Sequence, residues 1–145
     1  MLSAEEASFS FAAIEDIDDA ACSGYPSARS GAVAVPMDDT IVFFAGLGNG
    51  RDFYNDVHEF DVRTRRWRRI ECQVLPLANF GACGARMRAR NSILVHGGVI
   101  QFRGSSPGLS FFSLDRAAWT ACSLKNRAGA NIRRHHWGEA MVAVP

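Results

Sequence analysis

The chain repeats itself. PSARSGAVAVPMDDTIVFFAGLGNGRDFYNDVHEFDVRTRRWRRI (26–70) aligns with PLANFGACGARMRARNSILVHGGVIQFRGSSPGLSFFSLDRAAWTAC (76–122). Trp67 and Trp119 are 52 positions apart, as are Phe60 and Phe112, Gly46 and Gly98, and Ile41 and Ile93. Nearer the start the offset is 50: Pro26 with Pro76, Ala28 with Ala78, Gly31 with Gly81, Ala32 with Ala82. One two-residue insertion between the first and second apolar runs reconciles the offsets. A repeat of this period implies one supersecondary unit used twice, each copy burying an apolar face against a neighbour.

The shared positions fall where strands would place them. Each unit opens on small residues, continues into an apolar run (TIVFFAG or SILVHGG), crosses a polar loop, resumes with DVHEFDV or LSFFSL, and closes on a Trp segment. Runs of four to seven residues rich in Val, Ile and Phe, bounded by Gly, Pro, Asn and Asp, read as strands. No segment sustains a helical period. The expectation is an all-β chain with four antiparallel strands per unit.

These residues resemble the kelch repeat. Arg29, Gly31, Ala45-Gly46, Asn55-Asp56-Val57, Phe60-Asp61, Thr64 and Trp67 carry the likeness in the first unit; Gly81, Gly97-Gly98, Phe112 and Trp119 carry it in the second. Ala45 stands in for the first glycine of the family's doublet, Asn79 for the opening arginine of the second unit, and Ser113 for an aspartate. The resemblance implies a fragment of a kelch-type β-propeller, with four-stranded antiparallel blades around a channel. Gly31, Gly46, Gly81, Gly97 and Gly98 would be its turn positions, and Trp67 and Trp119 its blade-packing plates.

The expected organisation is an N-terminal segment (1–25) with a lone fourth strand near 8–14, blade one over 26–75, blade two over 76–124, and a linker with a lone first strand over 125–145. The lone strands are suggested by Phe11-Ala12-Ala13-Ile14, which echoes Trp67-Arg68-Arg69-Ile70, and by Val142-Ala143-Val144-Pro145, which echoes Val33-Ala34-Val35-Pro36. Closed propellers hold four to eight blades. Two blades and two single strands therefore read as a piece of a longer array, or as a chain completed by other chains.

Composition excludes several classes. The net charge is +1, so no global field draws the chain to nucleic acid or membrane. No apolar run is long enough to span a bilayer. The acidic start, MLSAEEASFSFAAIEDIDDA, lacks a signal's basic-then-apolar order, so a cytoplasmic or nuclear setting is expected. Cys22, Cys72, Cys83 and Cys122 form no CxxC pair and read as free thiols. His135 and His136 are adjacent and would point to opposite faces of a strand, while His96 lies in an apolar run; none reads as a metal ligand. No metal or cofactor is expected.

Two features bear on partners. Arg63, Arg65, Arg66, Arg68 and Arg69 flank Trp67, a pattern suited to nucleic acid or to a charged outer edge strand that resists aggregation. The second unit has Arg116-Ala117-Ala118-Trp119 instead, which favours the edge. The loops LGNGRDFYN (47–55) and VIQFRGSSPGL (99–109) carry Arg51 and Arg103 at equivalent positions, with Phe53, Tyr54 and Phe102 beside them. Arginine and aromatics anchor protein interfaces, and the resemblance puts these loops on the partner-binding face. The function expected is a non-catalytic protein-interaction scaffold with those five residues as contacts. The alternative is a segment of a propeller enzyme whose catalytic residues lie elsewhere, because the chain shows no Ser-His-Asp signature, and GLGNGR precedes no helix.

Overall fold

A computed structural model describes residues 24–49, 51–106, 108–122 and 128. The lone strands expected near 8–14 and 134–145, Cys22, and the His135-His136 pair lie outside them. The described chain is all-β, with one 3-10 turn at Arg88–Arg90 and no helix long and apolar enough to cross a membrane. Strands β1 (Val33–Pro36), β2 (Thr40–Phe44), β3 (Val57–Asp61) and β4 (Arg66–Ile70) form one antiparallel meander in the order β1-β2-β3-β4. After a short β5 (Asn79–Phe80), strands β6 (Cys83–Met87) and β7 (Ser92–His96) are followed by the hairpin β8 (Val99–Ile100) and β9 (Gly104–Ser105). Strands β10 (Leu109–Ser113) and β11 (Ala118–Cys122) then complete a second meander, β6-β7-β10-β11, and β5-β8-β9 forms a small third sheet.

The registers reproduce the repeat. Ile41 pairs with Phe60 and Phe60 with Trp67; Ile93 pairs with Phe112 and Phe112 with Trp119. The two-residue insertion falls between β6 and β7, where Arg86 pairs with Ile93, against Pro36 with Ile41 in the first meander. It takes the form of the 3-10 turn, closed by Asn91 in the left-handed region. Alternation sorts each strand into two faces. Val33, Val35, Val42, Phe44, Val57 and Ile70 lie on one face of the first sheet and are buried.

That face receives the second sheet. Ile93, Val95 and Phe112 join it in one core, with Trp119 packed against it. The rings of Phe44 and Trp119 are 4.4 Å apart. Val35, Val42, Val57, Ile93 and Phe112 are almost wholly enclosed, each contributing about 1.5–3 kcal/mol by leaving water. The first strands of the two meanders, β1 and β6, meet at Gly84, where a Cβ would overlap Val33 Cγ1 and stand 3.0 Å from Val35 Cγ2. A bidentate pair from Arg86 to Asp38, at 2.6 and 2.5 Å, ties the two units at the rim.

Candidate interaction face

The loops joining the second and third strands of each meander are built on one backbone plan. Ala45 N donates to Asp56 O at 3.3 Å, and Gly97 N to Gly108 O at 3.2 Å. Tyr54 N donates to Gly46 O at 2.9 Å, and Ser106 N to Gly98 O at 2.7 Å. The bridges Ser30–Leu47 and Leu47–Phe53 of the first unit become the paired strands β5-β8-β9 of the second. The segment at 99–109 is therefore largely a hairpin. Chain reversal after the second strand uses left-handed backbone at Ala45 (φ 65), Gly46 (φ 111), Gly97 (φ 74) and Gly98 (φ 85). Gly98 is fixed by crowding too, since a Cβ there would overlap Asn79 Oδ1 and lie 2.9 Å from Ala82 N.

In the first unit, side chains fill the space under the loop. Arg29 makes a bidentate pair with Asp56 at 2.5 and 3.0 Å, donates to Ala45 O at 3.1 Å, and lies 4.1 Å from the centre of the Tyr54 ring. His58, buried in β3, has Nε2 2.8 Å from Asp56 Oδ2 and donates from Nδ1 to Gly24 O at 2.6 Å. Burial works against the charge of Asp56, yet hydrogen bonds from His58 and Arg29 and the positive charge of Arg29 hold its carboxyl far below the usual carboxylate range. This is a closed, satisfied cluster that fixes the loop.

The second unit departs from this plan at each of those positions. Asn79 stands at the place of Arg29, Ser106 at that of Tyr54, and Gly108 at that of Asp56. Asn79 Nδ2 donates to Gly97 O at 2.9 Å, reproducing the bond from Arg29 to Ala45 O. Its backbone also binds the first unit's loop, donating to Tyr54 O and accepting from Gly46 N. Among the described residues its Oδ1 is enclosed without a hydrogen-bond partner, and Asn79 as a whole is only 8% exposed. Where three large side chains sit in unit one, unit two has a cleft of about 250 Å³, walled by Phe44, Leu77, Val95, Ile100 and Trp119.

The candidate contact residues divide. Phe53 packs edge-on against Phe80 with centroids 6.4 Å apart, and Tyr54 lies under Arg29, so both brace the loop. Arg51 and Arg103 are exposed. Phe102 is 98% exposed at the tip of the β8–β9 hairpin, with φ 60. Asn79 was visible in the sequence only as a departure from the opening arginine; its unpaired oxygen needed the positions of Ser106 and Gly108.

The arginine-rich strand is an edge. Arg66, Arg68 and Arg69 on β4 are exposed. Arg68 pairs with Glu59, Arg69 with Glu71 at 3.5 Å, and Arg63 with Asp39 at 2.9 Å. Cys72 and Cys122 are free thiols. Burial, with the charge of Glu71, pushes the Cys72 thiol up, away from the reactive thiolate. Among the described residues, no three His, Cys, Asp or Glu side chains cluster as metal ligands. No family model matches the chain, and no curated protein matches it significantly.

Proposed function

We propose that the chain is part of a kelch-type β-propeller and works as a protein-interaction scaffold, docking a partner on the face made by the loops at 47–55 and 99–109. The propeller reading is supported by the stacking of two equivalent meanders. The Trp-bearing face of one lies on the Val-rich face of the other, with β1 beside β6. Repeated, that operation adds further blades at either side.

The observation that carries the binding role is Phe102. An aromatic ring left in water forfeits its hydrophobic stabilisation, and a left-handed backbone at a non-glycine residue costs about 1–2 kcal/mol. Both penalties fall on one residue at a hairpin tip, beside the exposed Arg103. Strain and exposed apolar surface together mark a residue placed for contact. The test is affinity capture from the source cells with wild type, Phe102→Ser and the Arg51→Glu, Arg103→Glu double variant. These exposed changes leave the melt unaltered. Loss of a hot-spot contact reduces retention of the specific partner by at least about tenfold. Undiminished capture by both variants removes these loops from the binding face.

A further inference from the structure

We infer that the arginine-bearing edge of the first sheet, β4 with the turn before it, is a docking surface for this chain's own acidic segment Glu15-Asp16-Ile17-Asp18-Asp19, held there by charge. The contact is separate from the loop face and does not depend on it.

Three observations select this occupant. First, the net charge of +1 is a balance of two unlike parts. Residues 1–28 hold six acids (Glu5, Glu6, Glu15, Asp16, Asp18 and Asp19) and no Lys or Arg. Residues 29–145 hold all 16 bases against the other nine acids, a net +7. A chain so divided attracts itself. Second, the bases are densest on one edge. Arg63, Arg65, Arg66, Arg68 and Arg69 are all exposed, on the outer strand or the turn leading to it. Local carboxylates answer only part of this charge. Asp39 takes Arg63, Glu59 takes Arg68, and Glu71 reaches Arg69 at 3.5 Å, while Arg65 and Arg66 pair with no carboxylate among the described residues. Third, the described chain begins against this strand. Gly24 lies so close to β4 that a Cβ on it would overlap Arg69 N and stand 2.9 Å from Arg68 C. Its carbonyl oxygen is 2.6 Å from His58 Nδ1, and the Tyr25 ring meets the Trp67 indole with centroids 5.7 Å apart. Beside Gly24 a cleft of about 570 Å³ opens between Ser27, Arg68, Arg69 and Glu71. Asp19 is five residues before Gly24, a reach of at most roughly 18 Å. That matches the length of a five-residue strand, roughly 17 Å. Each exposed pair is weak alone, but so short a tether holds the acids near the edge at roughly millimolar effective concentration.

The experiment compares amide NMR spectra of the full ¹⁵N-labelled chain with those of a variant carrying Glu15→Gln, Asp16→Asn, Asp18→Asn and Asp19→Asn together. The amides of Arg65, Arg66, Arg68 and Arg69 are expected to differ between the two, and those of Arg88, Arg90 and Arg116 to coincide. In about 1 M NaCl, where charges act over only roughly 3 Å, the two spectra are expected to converge at β4. Differences confined to residues beside the substitutions, differences as large at Arg88, Arg90 and Arg116, or differences that survive the salt overturn the inference. The reciprocal variant, Arg65→Gln with Arg66→Gln at exposed positions, is expected to shift the amides of residues 15–19. No shift there overturns the inference even if the first variant fails to fold. Labelled quadruple variant is also mixed with unlabelled wild type. Its β4 resonances are expected to stay in place, because the contact lies within one chain. Their return toward wild-type positions would assign the acids to a second copy and overturn the contact within one chain.

Discussion

Asp56 joins three parts of the first unit. It holds Arg29 from the opening turn and His58 from β3, and through Arg29 it positions the carbonyl of Ala45 and the ring of Tyr54. Its side chain is mostly enclosed, so losing its charge leaves a guanidinium facing a neutral group. Asp56→Asn keeps the shape and is expected to cost on the order of 1–3 kcal/mol at neutral pH, read from urea melts. The pH dependence follows from the depressed carboxyl. The unfolded chain takes up a proton near the ordinary value of about 4, while the folded chain resists it. The contribution of Asp56 is therefore complete above about pH 4 and is lost progressively as pH falls below it. Wild type should lose stability more steeply than Asp56→Asn between about pH 4 and pH 2. Parallel profiles would show that the carboxylate does not hold the loop.

Among the elements, the seam between β1 and β6 decides how the two sheets meet. Gly84 allows the backbone of β6 to rest on Val33 and Val35. Gly84→Ala forces the sheets apart and is expected to cost about 1–3 kcal/mol, the usual range for overpacking. Combined with Val33→Ala it should cost less than the two changes added, because the second makes room for the first. A strictly additive cycle, measured by chemical denaturation, would mean the strands do not touch there. The main strands were legible because runs such as Ile41-Val42-Phe43-Phe44 and Ile93-Leu94-Val95 carry the composition and bounding glycines of strands. The third sheet was not, because two-residue strands have no period and β5 finds β8 only in space. Phe53 and Phe102 show the same limit at the candidate site. Both are loop aromatics, yet one rests on Phe80 and the other points into solvent, a difference set by the hairpin and not by residue type.

At the scale of the whole molecule, the contact inside the chain has two unlike halves. The Val-rich face of the first sheet meets the Trp-bearing face of the second. The first sheet's other face carries Phe43 and Trp67, with Tyr25, 62% exposed, against the indole. The second sheet's other face carries Leu94 and Phe111 and opens a cleft of about 430 Å³. These outward faces are again a Trp-bearing half and a half without Trp, in which Ser92, Ser113 and Thr120 surround Phe111. They can satisfy one another between copies by the operation that relates the two sheets, which makes the contact heterologous and head-to-tail. The isolated chain is therefore expected to associate, its mass in sedimentation equilibrium rising with concentration. Phe111→Lys spoils one half and Phe43→Lys the other, so each variant alone should run as a monomer. Mixed, they retain one intact half each and should form a dimer of one copy of each variant. A wild type that stays monomeric at every concentration, or a mixture that fails to pair, would show that the outward faces do not repeat the inner contact.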